Sequence, residues 1–354
     1  MFGSNGLFGG GERYPRELAR ALAQHVDSRL VVFGPHSGAW REVSGLEVTM
    51  LRKLFLLKRH AAHPIAAGLV RATADADIIH THHMRSAPSR IVAVVGRARR
   101  QRLVVTDHGL GGSGWGGLLP TLFDRFLVVS DYSARTLSVP RARTTVIYGG
   151  ADAERFHPDA GDPRTGVLFL GRMTPHKGID VLLRALPVSA QLTIAGTAGH
   201  DRRLPERDYP RLLARLAAGK NVRFMSRVSE IELPRLYRRA AVFVLPSVHL
   251  TCYGRYVPIP ELLGLSVIEA MASGTPVVCS SVGGIPEIID DGVTGFLVEP
   301  GNVEELRQRI EELLANRRLA VRLGEAGREN VLARFTWNHC ATRSLAAYEE
   351  LCVE

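Results

Sequence analysis

Cysteine is scarce and scattered: Cys252, Cys279, Cys340 and Cys352 never fall at a C-x-x-C spacing. That argues against a zinc site and a disulfide framework, and makes a reducing cytoplasm the default location. Long apolar runs are missing, none approaching the roughly eighteen residues of a membrane span. The opening Met1-Phe-Gly-Ser-Asn-Gly6 lacks the basic and apolar regions of a signal peptide. Aromatic residues make up only 6%, with no interleaved stacking pattern, so no nucleic acid partner is expected. A G-x-G-x-x-G following a strand is also absent, which disfavours a nicotinamide dehydrogenase. No short repeat period is visible.

What is present is ordinary in bulk and uneven in detail. The chain has 354 residues, 45% hydrophobic and 23% charged, enough for two domains with large cores. The net charge of +10 lies almost wholly in the first half. Residues 1–155 hold 21 Lys+Arg against 12 Asp+Glu, and residues 156–354 hold 24 against 23. The excess is concentrated at Leu51-Arg-Lys-Leu-Phe-Leu-Leu-Lys-Arg-His60 and at Arg97-Ala-Arg-Arg-Gln-Arg102. Such segments can make peripheral contact with an anionic membrane; they can equally be solvated helix faces.

Strand-length apolar runs alternate with helical patterns throughout, which predicts α/β architecture with parallel sheets. In the first half the expected strands are 29–33, 46–51, 77–81, 102–106, 125–129 and 144–148, with helices over 12–25 and 63–74. The turn-rich run from Tyr148 to Pro163 reads as a linker. A second series follows, with strands over 167–171, 191–195, 221–225, 241–245, 276–280 and 295–298. An amphipathic helix spans 303–315, and a final helix 336–351 follows the series. Ligands of open parallel sheets bind beyond the carboxyl ends of the strands, so chemistry is sought there.

The most informative run is Glu261-Leu-Leu-Gly-Leu-Ser-Val-Ile-Glu269-Ala-Met-Ala-Ser-Gly-Thr-Pro, with two carboxylates eight residues apart. Ser266 and Glu269 fit an S-x-x-E capping box, a purely structural reading. That reading leaves Glu261 unexplained, and the loop holding Gly264 arrives at a helix start whose amides suit an anion. In Val167-Leu-Phe-Leu-Gly-Arg172-Met-Thr-Pro-His-Lys177-Gly178, two cations five residues apart follow a strand. They suit a diphosphate, arginine as a fork and lysine as a point charge. In the first half, Gly9, Gly10 and Gly11 open a helix and permit close backbone approach to a ligand. His108 stands just past a strand. The glycine-rich stretch 109–117 reads either as a substrate loop with Trp115 as a stacking surface or as a flexible connection. His80 and His82 share a strand face, but no acidic or cysteine partner completes a metal set, and a cleft-lining role is preferred.

Together these residues resemble the retaining glycosyltransferases of the group 1 superfamily (glycosyltransferase family 4). The specific elements are Gly171-Arg172…Lys177-Gly178 and Glu261-x7-Glu269-Ala-Met-Ala-Ser-Gly-Thr-Pro. Gly283-Gly-Ile-Pro-Glu287 and Gly292-Val-Thr-Gly-Phe-Leu-Val298 add to them, and Gly9-Gly-Gly-Glu12 and His108 match more loosely. The resemblance implies the GT-B fold: two Rossmann-like domains facing across a deep cleft, with a C-terminal helix crossing back to the N-domain. An acceptor-binding domain over 1–155, completed by 336–354, would precede a donor-binding domain over 156–335. It also implies transfer from a nucleotide-sugar donor to a saccharide, lipid-linked or small-molecule acceptor, with no metal and no cofactor. Arg172 and Lys177 would bind the donor diphosphate, Glu269 the ribose, and the amides of Leu265 and Ser266, behind Gly264, the distal phosphate or sugar. Glu261 and His108 would contact the sugar, Gly10 and Gly11 the diphosphate, and Arg227 and Val228 would lie near the base.

Four departures from the family pattern stand out, one of them Gly149-Gly-Ala-Asp152 at the linker in place of the commoner Asn-Gly-Val-Asp. The glycine loop starts by residue 9, where a strand normally precedes it, so either the N-domain sheet lacks its first strand or the start is truncated. Ser226 replaces a usual glycine, and Val248–Pro260 lengthens the loop before Glu261. The competing readings are a catalytically impaired nucleotide-sugar-binding or scaffold protein and a sugar-nucleotide epimerase of similar fold. The carboxylate spacing disfavours the second.

Overall fold

The computed structural model describes residues 10–57, 63–108, 114–137, 139–159, 161, 163–197 and 206–353. The chain divides into two compact units. One comprises Gly11–Gly149 with Trp337–Glu354, the other Gly150–Thr336, apart from short N-terminal pieces.

The second unit is built on one parallel sheet. Its strands are β9 (Thr165–Leu170), β10 (Leu192–Ala195), β11 (Val222–Met225), β12 (Ala240–Leu245), β13 (Val277–Ser280) and β14 (Phe296–Val298). They run in the order β11-β10-β9-β12-β13-β14, the doubly wound pattern in which the sequence reverses direction between β9 and β12. Central strands buried on both faces need continuous apolar sequence. Val167-Leu-Phe-Leu170 and Val242-Phe-Val-Leu245 supply it, each residue buried. The connecting helices are α5 (Ile179–Ala185), α6 (Tyr209–Ala217), α7 (Glu232–Arg239), α8 (Leu265–Ala272), α9 (Val303–Ala315) and α10 (Arg317–Arg334). Asn302 caps α9 by accepting from the Glu305 amide, and Asn316 caps α10 through Leu319.

The first unit departs from the expected single sheet. Its strands are β1 (Arg29–Gly34), β2 (Gly38–Arg41), β3 (Glu47–Leu56), β4 (Pro64–Ala66), β5 (Ile78–His82), β6 (Arg102–Thr106), β7 (Arg125–Val128) and β8 (Thr144–Val146). Among the described residues they form two sheets, β1-β3-β2 with β4 on β3, and β5-β6-β7-β8. No ladder joins β1 to β5 there, although both pair in parallel with their other neighbours. One apolar cluster nevertheless spans both sheets. Val31, Phe33 and Leu51 from the first pack with Ile79, Leu103, Val105 and Phe126 from the second, under Val92 and Ala93 of α3 (Ala87–Ala98). The opposite face is bridged by α1 (Gly10–Leu22): Ala19 packs on Val32, Val48 and Met50, while Tyr14 meets His82 and His108. A short helix, α4 (Asp131–Thr136), is closed by a Ser130–Ser133 capping box.

The helix expected over 63–74 is instead β4 followed by the single-turn α2 (Leu69–Ala72). Pro64 offers no amide to a helix, Gly68 sits at φ 88, and Ile65 finds a partner in Phe55. The last helix, α11 (Trp337–Val353), packs onto the first unit as the fold reading expected. Trp337 meets Tyr14 at 5.1 Å, the Tyr348 hydroxyl lies 2.7 Å from His80 Nδ1, and Glu350 pairs with Arg125 at 2.7 Å. Among the described residues, no helix is long and apolar enough to cross a membrane.

Candidate functional site

The reversal point of the second unit brings two loops together: the turn after β9, carrying Arg172 to Gly178, and the segment after β12, carrying Ser247 to Glu261. Gly178 is locked between them at φ 65, and a Cβ there would lie 1.9 Å from the Pro246 carbonyl oxygen. The backbone of Val248 donates to the His176 carbonyl at 2.8 Å. That close approach delivers Lys177 to Glu261, 84 residues away in sequence, and Nζ forms a short ion pair with Oε1. Ser247 Oγ donates to the same oxygen at 2.9 Å. Glu261 is also fixed from behind. Gly283, at φ 61, presses against its backbone, where a Cβ would lie 1.9 Å from the Glu261 carbonyl oxygen.

Positive charge collects at this corner. His176 is pushed down to about 3, by burial first and then by the charges of Lys177, Arg172 and Arg255. The imidazole is therefore neutral at physiological pH, and the three cations around it set the local potential. Arg172 is exposed at the end of β9. Arg255 arises from the long loop before Glu261, which folds as a pinned hairpin. Val257 donates to the His249 carbonyl at 2.7 Å, Thr251 donates to that of Arg255 at 2.9 Å, and His249 stacks on Tyr256 at 5.5 Å.

Helix α8 begins at Leu265, after Gly264 in a left-handed conformation with no side-chain cap. Ser266 is thus the second helical residue, and the capping box read from Ser266 and Glu269 does not form. The first amides, Leu265 and Ser266, have no acceptor within the helix. Glu269 is buried in the next turn, and its Oε2 accepts from the Tyr237 hydroxyl at 2.9 Å. Val228 is buried just after β11, and Arg227 beside it is exposed. All of these residues lie in the second unit.

The remaining candidates lie at the other end of the chain. Gly10 and Gly11 form the first turn of α1, while Gly9 and residues 109–113 lie outside the described residues. His108 follows β6 in the first unit and joins a column of rings. Its Nε2 is hydrogen-bonded to His82 Nδ1 at 3.0 Å, His82 stacks on His80 at 4.6 Å, and His80 Nε2 meets Thr106 Oγ1 at 2.8 Å. Desolvation lowers all of these histidines, His80 to about 3, and the neighbouring rings lower His82 and His108 further. By surface area the rings are only partly buried, but the dense packing around them sets the direction. Among the described residues, no group of three His, Cys, Asp or Glu is placed to hold a metal. Trp115 is 45% exposed, with the Arg90 guanidinium over its ring at 5.9 Å.

Sequence reasoning missed Ser247, His176, Arg255 and Tyr237. His176 stood inside the quoted turn. Ser247 and Tyr237 carry no local signal, because each matters only through a tertiary partner.

A doubly wound sheet with cations and helix amides at its reversal point defines a domain for binding phosphorylated ligands. The comparisons with known proteins narrow this. Residues 151–330 match the family model described as glycosyl transferases group 1, and residues 8–155 match that of glycosyltransferase family 4. The chain belongs to the group 1 glycosyltransferases, whose fold is GT-B.

It is 32% identical to the D-inositol 3-phosphate glycosyltransferase of Mycolicibacterium smegmatis, over 64% of this chain and 52% of that protein; it thus spans about half the length of that relative. It is 28% identical to the GDP-mannose-dependent alpha-(1-6)-phosphatidylinositol monomannoside mannosyltransferase of Mycobacterium tuberculosis, over 95% and 93% of the two chains. Among solved structures, Anabaena HepE in complex with UDP and glucose superposes with a TM-score of 0.75 at 20% identity, over 98% of each chain.

Proposed function

We propose that this glycosyltransferase moves a sugar from a nucleoside-diphosphate sugar to a hydroxyl of a saccharide, lipid-linked or small-molecule acceptor, with retention at the anomeric carbon. The observation that carries the reading is the cationic corner at the β9–β12 reversal point. Arg172, Lys177 and Arg255 surround a neutral His176 there, in the same domain as the uncapped start of α8. Departure of the nucleoside diphosphate develops negative charge on its β-phosphate. Donors fixed in advance where charge develops lower the barrier, each by about 3 kcal/mol in comparable anion holes. Arg172 and Lys177 take that role, and their charges do what a divalent metal does in other transferases.

Glu261 already holds an ammonium and a hydroxyl on one oxygen. A carboxylate so engaged is a poor nucleophile, so Glu261 positions the donor sugar and shapes the local field. Retention then follows from same-face attack. The acceptor oxygen bonds to the anomeric carbon as the carbon–phosphate-oxygen bond breaks, and the acceptor proton passes to the departing phosphate. Glu269, oriented by Tyr237, is assigned to the ribose hydroxyls, and the segment at Arg227 and Val228 to the base. The sugar contact assigned to His108 rests on the family resemblance. Two relatives support the donor class: HepE was crystallised with UDP and glucose, and the mycobacterial mannosyltransferase depends on GDP-mannose.

The test pairs a thermal-shift screen of nucleotide sugars with transfer assays on Arg172→Ala and Lys177→Ala. Each substitution should reduce transfer by about a hundredfold or more, with an unchanged circular dichroism spectrum. Full activity in either variant removes the diphosphate assignment, whereas a parent chain that binds a nucleotide sugar but transfers it to no acceptor favours a binding or scaffold role.

A further inference from the structure

The segment between β12 and Glu261 is longer than the family pattern, and the extra length is braced. Its root is tied to the cationic turn by the Val248 amide on the His176 carbonyl. Along the hairpin Leu250 bridges to Tyr256 in antiparallel register, and His249 Nδ1 bonds the Val257 carbonyl at 3.0 Å. Toward the tip the Arg255 amide donates to Thr251 Oγ1 at 3.2 Å, beside the bond from the Thr251 amide to the Arg255 carbonyl. Tyr253 then meets Tyr209 of α6 edge to face, with ring centroids 6.3 Å apart. The Tyr209 hydroxyl accepts from the Asp180 amide at 3.1 Å and donates to Asp180 Oδ1 at 2.8 Å. Asp180 is the second residue of α5, the helix that the cationic turn opens. Root and tip of the hairpin are therefore fastened to the two ends of one short stretch, His176 to Asp180.

Arg255 is pinned in that brace through its amide and its carbonyl, and the residue is exposed. The charges at the corner say what it adds. Lys177 is engaged by the Glu261 carboxylate, which leaves Arg172 to face a diphosphate carrying one negative charge on each phosphate. With Arg255, three cations against one carboxylate leave a surplus of two, which matches that ligand. We infer that Arg255 is a donor-binding residue, the third cation on the diphosphate, supplied by the lengthened loop. The inference rests on the nucleotide-sugar reading of this corner and goes beyond the pair Arg172 and Lys177 on the β9 turn. A guanidinium suits the place, because its fork can bond two phosphate oxygens at once. A cation carried on a braced hairpin also has less freedom to lose when the ligand arrives. The effect of Arg255 on the His176 ring agrees with this position.

The experiment is calorimetry of pyrophosphate with the full chain, comparing the parent with Arg255→Gln, Arg255→Lys and Arg172→Ala. Arg255→Gln should bind about tenfold more weakly. Arg255→Lys, which keeps the charge without the fork, should bind about threefold more weakly. Transfer from the nucleotide sugar should fall in the same order, with melting temperatures that match the parent's. If Arg255→Gln binds pyrophosphate as the parent does while Arg172→Ala loses it, the role of Arg255 is overturned and the diphosphate site stands. A parent chain that binds no pyrophosphate removes both. A lysine variant as weak as the glutamine one, with both melting early, makes Arg255 a structural residue of the hairpin and likewise overturns the inference.

Discussion

Glu261→Gln should tighten diphosphate binding while slowing transfer. Lys177 and Glu261 form a short ion pair whose side chains are only 13% and 9% exposed, so the resting lysine is already occupied. A diphosphate must draw it away from the carboxylate. Opposite charges about 3 Å apart attract by roughly 5 kcal/mol at an effective dielectric near 20, before desolvation is counted. Net values run from about 1 kcal/mol for exposed pairs to about 3–5 for buried ones, and a pair this enclosed belongs near 2. The glutamine amide oxygen can still accept from Lys177 and Ser247, so the loop keeps its geometry while the competing charge disappears. Pyrophosphate, which carries neither base nor sugar, should then bind about thirtyfold more tightly by calorimetry. Transfer from the full donor should fall, because the group that positions the sugar has lost its charge. Pyrophosphate affinity that is unchanged or weaker would refute the reasoning, since Lys177 would not be the group the phosphate recruits.

Two further outcomes follow from geometry and burial. Gly283→Ala places a Cβ 1.9 Å from the Glu261 carbonyl oxygen at a φ of 61, which should cost about 2–4 kcal/mol, read as a lower melting temperature together with weakened donor binding. The buried histidines make stability depend on pH. His80 and His176 fall to about 3 in the folded chain against about 6.5 unfolded. Between those values the unfolded state binds more protons, so stability is lost as pH falls below about 6.5, by at most about 1.4 kcal/mol per histidine per pH unit. Urea unfolding from pH 7 to pH 4.5 should show the slope, and His80→Gln should flatten it.

The second unit was the more legible half of the sequence. Its six strands are short apolar runs bounded by turn signals, and the motifs fall at the strand ends where a doubly wound sheet puts its ligands. The helix 303–315 coincides with α9 because Asn302 caps it and the apolar period is unbroken. The stretch 63–74 misled because short apolar runs suit strand and helix alike, and its pairing with Phe55 is a tertiary fact. Strand β2, exposed at all four residues, offers no alternation to read. The two carboxylates stood out in the sequence by their spacing but not as a pair of environments. Nothing near Glu261 in sequence announces Lys177, and nothing near Glu269 announces Tyr237. The column from His108 to Tyr348 joins residues 240 positions apart, which no local pattern encodes.

The divided sheet of the first unit bears on how that unit comes apart. A continuous ladder of main-chain hydrogen bonds resists separation as a whole. Among the described residues β1 and β5 lack that ladder, and their halves are held by a shared apolar cluster on one face and by α1 on the other. Side-chain contacts give way piecemeal, and among the described residues α1 touches both halves of that second face. Tyr14, wedged among His82, His108 and Trp337 at the start of that helix, is therefore less a packing detail than the fastener of a seam.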